Sequence, residues 1–356
     1  MRNLLSYLAL IPSLLVAGQT LEAQRIPPVQ PLGRLIWKTA EHFTDASSVV
    51  LIGDGSIAIA DPGAREFSII SASGVVRRVG REGSGPGEYL QPQWVHRLPR
   101  SRLVLVDPRQ FRLAIFDSTG KFIETNAFPS GGAAIQSTQF VDRLGRAWFP
   151  SFSVQDNSRR ISLLRWLVGQ STIDTVAQLL GPKLVVTPVT ARDGSKRVEE
   201  LVMRYVPYSQ ADAFGVAPDG SYAILRAKSA RVEWYSPNAQ LISRVDFPPP
   251  RTVPLPDSTR ALVRPESLRQ ALENDQSAFQ TDRIVVADDG TVWAKRTPAH
   301  PGQNEWLAFS RSELVARVAL PPRTWLIAAG NGRLVLTRRG DSDLQAIEIY
   351  QQMSRK

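Results

Sequence analysis

One segment of this chain is written twice, and that repetition limits the possible folds more than any other feature. Gly55-Ser56-Ile57-Ala58-Ile59-Ala60-Asp61-Pro62 leads to Phe67-Ser68-Ile69-Ile70 and a turn at Ser73-Gly74. Ser101-Arg102-Leu103-Val104-Leu105-Val106-Asp107-Pro108 leads in the same way to Leu113-Ala114-Ile115-Phe116 and Thr119-Gly120. The copies lie 46 residues apart, and each Asp-Pro precedes its turn glycine by thirteen positions. Equal strand-turn-strand units at this period are the signature of a radial or stacked repeat architecture.

Four weaker copies keep the order of turn glycine, short apolar strand, gap and returning strand. Their turns are Gly145, Asp219-Gly220, Asp289-Gly290 and Asn331-Gly332, and aromatic residues such as Trp148, Trp234, Trp293 and Trp306 mark their strands. Asp-Gly and Asn-Gly supply the positive φ that tight hairpins need, and β-branched and aromatic residues suit a pleated surface. An apolar segment precedes each turn, for example Val49 to Ile52, Ala213 to Val216 and Ile284 to Ala287, and reads as an innermost strand. These strands are apolar on both faces, as expected of a sheet sandwiched between other sheets. One such sheet cannot bury both faces alone; six arranged radially bury one another. The expected fold is all-β, a six-bladed β-propeller.

The last copy stops at Lys356 with no room for an outermost strand, while the alternating segment Leu35 to Phe43 precedes the first copy unassigned. That segment is expected to pair with Ala346 to Tyr350 and close the ring, since an unpaired strand carrying Ile36 and Trp37 invites aggregation. Two insertions interrupt the spacing. About 180–210 reads as an added hairpin around an Asp193-Gly194 turn, and about 248–280 as a short amphipathic helix between Asp257 and Asp275, kinked at Pro265. Such excursions from a rigid scaffold are natural partner surfaces.

Met1-Arg2-Asn3, an apolar stretch from Leu4 to Ala17 and small or polar residues through Gln24 read as a signal peptide, with cleavage after Gly18 or, preferably, Ala23. The stretch is short of the roughly 20 residues of a membrane-spanning helix, and the rest of the chain has no comparable stretch. The expectation is one propeller domain over 24–356, periplasmic or secreted and monomeric, with no membrane span. The chain has no cysteine, so it forms no disulfides and has no lipid-bearing thiol. Its formal net charge is +10, but Lys and Arg are dispersed, with no run longer than pairs such as Arg77-Arg78. Dispersed charge serves solubility, and nucleic acid is not an expected partner.

The stretch Gly80-Arg81-Glu82-Gly83-Ser84-Gly85-Pro86-Gly87-Glu88-Tyr89, followed by Pro92, Leu103 to Asp107 and Arg112-Leu113-Ala114-Ile115-Phe116-Asp117, resembles an NHL repeat. Its Gly-Pro-Gly-Glu-Tyr form is similar to that of bacterial exported six-bladed propellers. The resemblance covers residues 54–122, and Gln110 stands where such repeats commonly carry asparagine. Gly83, Gly85, Pro86, Gly87, Glu88 and Tyr89 read as a structural connector between blades. A phosphate loop would need a helix after these glycines, whereas Pro92 and a strand follow. Asp61 and Asp107 read as caps of their own turns.

Nothing in the sequence identifies a reaction. The three histidines, His42, His96 and His300, lack metal-ligand spacing. The resemblance implies an alternative, because related propellers include calcium-dependent lactonases and amidating lyases that hold their metal on innermost strands. His96, Gln139, Asp212 and Asp282 are the residues that could gather there. Under that alternative the protein would be a metal-assisted hydrolase or lyase with Ca2+; otherwise no cofactor is expected. The primary expectation is a binding or interaction propeller that engages a protein or glycan of the cell envelope through its channel mouth or insertions.

Overall fold

The computed structural model describes residues 26–352 except 41, 54, 129–137, 153–158, 191–197, 207–208, 248–251, 255–256, 264–265, 273–274, 278 and 298–302. The leader-like residues Met1 to Ala23, the expected Asp193-Gly194 turn, Pro265 and His300 therefore lie outside the described residues. No helix among those described is long and apolar enough to cross a membrane.

The chain is a six-bladed β-propeller. Blade 1 runs outward through Ser48–Leu51, Ile57–Asp61, Glu66–Ile70 and Val76–Arg78, every pair antiparallel. Blade 2 repeats this with Trp94–Leu98, Arg102–Asp107, Arg112–Phe116 and Phe122–Ala127. Blade 3 begins at Phe140–Val141, blade 4 at Ala213–Val216, blade 5 at Phe279–Val286 and blade 6 at Thr324–Gly330. The hairpins turn where the sequence supplies the conformation: Gly220 and Gly290 adopt φ of 82° and 81°, which a residue with a Cβ rarely adopts.

Blade-to-blade burial explains the unbroken apolar runs. Leu103 and Leu105 pack toward Ala58, Ala60 and Phe67 of blade 1, while Val104 and Val106 on the same strand pack toward Ala147 and Phe149 of blade 3. The same pattern continues around the ring. Trp148 meets Tyr222 between blades 3 and 4, Trp234 meets Phe309 between 4 and 5, and Trp293 meets Leu336 between 5 and 6. Ile347 and Val335 of blade 6 then pack on Ile57 and Ile59 of blade 1, so the last interface returns to the first.

Blade 6 takes its outer strand from the other end of the chain. Leu35–Lys38 pairs antiparallel with Gln345–Gln351, with Leu35 opposite Tyr350, Trp37 opposite Ile349 and Lys38 opposite Glu348. An isolated bridge joins Phe43 to Gln345, and the Ala46 amide donates to the Gln345 side chain at 2.9 Å. Further upstream, Val29–Gln30 adds a parallel strand to the outer edge of blade 5, a pairing that the sequence did not suggest.

The glycine-rich connector is fixed by side chains. Gly80 has no room for a Cβ, which would lie 2.4 Å from the Gly87 carbonyl. The Glu88 carboxylate accepts hydrogen bonds from the Gly85 amide and from Arg81, each at 2.7 Å, and Arg112 donates to the carbonyls of Ser84, Gly85 and Glu88. Asp61 and Asp107 cap their own turns at Ala64 and Gln110, as expected, and also hold the chain entering their blades. Asp61 accepts the amides of Thr44 and Asp45, and Asp107 those of Leu90 and Gln91. The 46-residue repeat therefore extends to hydrogen bonds. Gln110, which replaces the usual asparagine, reaches back to the Gly83 carbonyl at 2.8 Å.

The two insertions pack on one another. The hairpin Leu184–Thr190 and Val198–Tyr205 contributes Val185 and neighbouring Val206 to a cluster with Val263, Leu268 and Leu272. The helical insertion forms two short helices, Asp257–Leu262 and Glu266–Gln270, and a small strand pair, Thr252–Pro254 with Asp275–Ser277. Lys183 Nζ ties them together by donating to the Ala271 carbonyl.

Candidate functional site

The innermost strands of all six blades enclose a channel of about 860 Å3. The wall is mostly apolar, with Val50, Val95, Val141, Phe214, Val286 and Ala328 each drawn from a different blade. That composition follows from the fold, since an innermost strand needs apolar side chains for its neighbours and shows the same residue types to the axis. Volume and lining both fall within the range of small-molecule sites, about 300–1,000 Å3 with few polar groups.

Three of the four residues selected from the sequence line this channel: His96, Gln139 and Asp212. His96 is half-buried on the innermost strand of blade 2, its ring tilted against Phe140 at 6.2 Å. Phe140 in turn meets Phe214 edge-on at 5.4 Å, so an aromatic band crosses blades 2, 3 and 4. Gln139 is placed by its amide, which donates to the Trp148 carbonyl at 3.0 Å. Asp282 lies on the innermost strand of blade 5, and its side chain is outside the described residues.

Asp212 has a structural occupation. One carboxylate oxygen accepts the Ala227 amide at 3.0 Å; the other accepts the Leu180 amide at 3.0 Å and the Arg226 guanidinium at 2.9 Å. Arg226 also donates to Glu233 at 2.7 Å. Burial works against the Arg226 charge, but the hydrogen bonds to Glu233 and Asp212 outweigh it and hold its pKa above the ordinary guanidinium value. A divalent cation at Asp212 would have to displace these donors beside a fixed positive charge, so the residue fits a calcium ligand poorly. Among the described residues, no group of three or more His, Asp or Glu side chains is placed to hold a metal.

The ends of the channel differ. Tyr205, Val206 and Ser209 bring the hairpin insertion to one end. The other end opens among the first hairpin turns of the blades, in a depression lined by Arg97, Arg100, Arg143, Asp288 and Asn331. Arg97 and Arg143 also line the channel itself. Sequence reasoning assigned all arginines to a solvated surface and missed this pair. The available signal was that Arg97 directly follows His96 on an innermost strand, where a side chain can face the axis.

Fold and channel together define a class: a six-bladed propeller with an axial cavity of ligand size. An inferred exported protein of Bacteroides fragilis superposes with a TM-score of 0.53 at 9% identity, over 91% of this chain and 94% of that one. A calcium-binding regucalcin of Agrobacterium tumefaciens aligns over 92% of this chain and 98% of its own, with a TM-score of 0.47 and 11% identity. A gluconolactonase of Xanthomonas campestris aligns over 91% and 99%, with a TM-score of 0.45 and 12% identity. At these identities the likeness shows the fold alone. No protein-family model matches the sequence, and no curated protein matches it significantly.

Proposed function

We propose that this protein is an exported binding propeller whose axial channel receives a ligand with a substantial apolar body. The observation that carries this reading is the channel of about 860 Å3, walled by apolar side chains from every blade. Such a wall favours an acyl, aromatic or apolar peptide group over a hydroxyl-rich sugar, whose polar groups would lose their hydrogen bonds to water. Among envelope partners, the channel therefore suits a protein's apolar segment or an amphiphile, and a glycan would have to engage the insertions. Export rests on the leader-like residues Met1 to Ala23. Metal-assisted hydrolysis gains no support from Asp212, whose oxygens are engaged by Leu180, Ala227 and Arg226.

Filling the channel tests the reading. Ala328→Trp places an indole at the wall, so native mass spectrometry after incubation with envelope extract should show a discrete bound mass on the wild type that the variant loses. Unchanged circular dichroism would establish that the variant folds. A wild type that carries nothing, or a variant that retains the mass, would overturn the proposal.

A further inference from the structure

Several half-buried arginines in this molecule have carboxylate partners. Arg146 pairs with Asp142 at 2.7 Å, Arg226 with Glu233 at 2.7 Å and Arg317 with Glu305 at 2.6 Å. Arg97 is half-buried and Arg143 is exposed, and neither guanidinium makes an ion pair or side-chain hydrogen bond among the described residues. Both line the channel and its mouth, from adjacent blades. The Arg97 guanidinium also lies along the first hairpin of blade 1, its Nη2 3.4 Å from where a Cβ on Gly53 would sit. Exposed Arg100 adds positive charge at the rim. The opposing carboxylate at this mouth, Asp288, is exposed, lies near Gly330 and pairs with neither arginine.

A half-buried guanidinium without a counter-charge, as at Arg97, is costly to maintain, and the planar forks of Arg97 and exposed Arg143 are suited to carboxylate and phosphate oxygens. At the opposite end of the channel Asp212 and Arg226 satisfy each other. We infer that Arg97 and Arg143 bind the oxyanion headgroup of an amphipathic ligand, a carboxylate or phosphate, whose apolar body extends along the channel past Phe140. This assignment rests on the channel-binding reading and adds the ligand's charge and its direction of entry.

The experiment titrates the full mature chain with decanoate, decyl phosphate and uncharged decanol, below their aggregation limits, by isothermal calorimetry. At least one anion should bind about tenfold or more tightly than decanol, the scale of a charge-assisted hydrogen bond. The preference should shrink as salt is raised. In the double variant Arg97→Gln, Arg143→Gln, checked for folding by circular dichroism, the ratio of anion to decanol affinity should fall to near one. Comparison of the two anions tells a carboxylate site from a phosphate site. Equal binding of anions and decanol by the wild type, a double variant that keeps the preference, or no binding of either anion would overturn the assignment. If envelope extract still yields a neutral bound mass that Ala328→Trp loses, the channel reading survives that failure. If extract yields nothing, the two fall together.

Discussion

The Tyr89 hydroxyl accepts a hydrogen bond from the Phe67 amide at 3.1 Å and donates one to the Val79 carbonyl at 2.9 Å. The ring is fully buried between blades 1 and 2, and burial raises the phenol pKa. Tyr89→Phe keeps the ring and takes one partner from each of two backbone groups. Its expected cost is about 2 kcal/mol, read as a lower urea midpoint with an unchanged slope. An unaltered midpoint would show that the connector is held without the Tyr89 hydroxyl. Asp212 makes a related point about legibility. Its position ahead of an innermost strand made it a plausible channel ligand, but a carboxylate at a strand entry can also cap amides. From the sequence, nothing indicated that Leu180 and Ala227 would converge on it from two blades. Arg97 was legible in principle because its strand was, whereas Arg143 lies in a turn whose direction only the fold determines.

Strands differed in how well they could be read in advance, and the cause is length and patterning. Leu35–Lys38 belongs to an alternating apolar segment that needs a partner, and it lies along Gln345–Gln351. Val29–Gln30 spans two residues among Pro27, Pro28 and Pro31, too short and too proline-rich to register as a strand, yet it pairs with Leu314–Ala319. Arg317 reinforces that edge, donating to the Pro27 carbonyl at 3.3 Å while paired with buried Glu305. Removing residues 26–38 strips both blades of an outer strand. The expected outcome is a lower melting temperature and self-association through the bared edge of Gln345–Gln351, measured by calorimetry and size-exclusion chromatography. A peptide of residues 33–43 supplied in trans should partly reverse both effects. A truncated chain that stays monomeric with unchanged melting would show that these pairings contribute little.

Six interfaces share the load of the ring, so a titration at one or two of them bears on the entire molecule. Tyr222, between blades 3 and 4, has its pKa pushed up to about 12 by burial and then by Tyr235. Tyr350, against the cluster between blades 5 and 6, is raised to about 12 by burial and then by its hydrogen bond to Glu348. The unfolded chain loses these protons near pH 10, and the native one holds them longer. The stability tied to their neutral forms is therefore complete below pH 10 and lost as pH rises toward 12. For Tyr222, almost wholly buried, the loss is of order 3 kcal/mol. Chemical denaturation from pH 9 to 12 should show this decline, and Tyr222→Phe should flatten part of it. A flat profile in the wild type would refute the assignment.

The closure of blade 6 also orders events in time. The Ile347 amide donates to Thr39 Oγ1 across 308 residues, so the earlier segment waits for one synthesised 308 residues later. Until then the newborn polypeptide has an unfinished sheet and an open seam beside blade 1, and contacts this distant in sequence form slowly. Under the export proposed for this protein, a chain that cannot lock its ring early stays threadable, which is the state that passage through a narrow translocation pore requires.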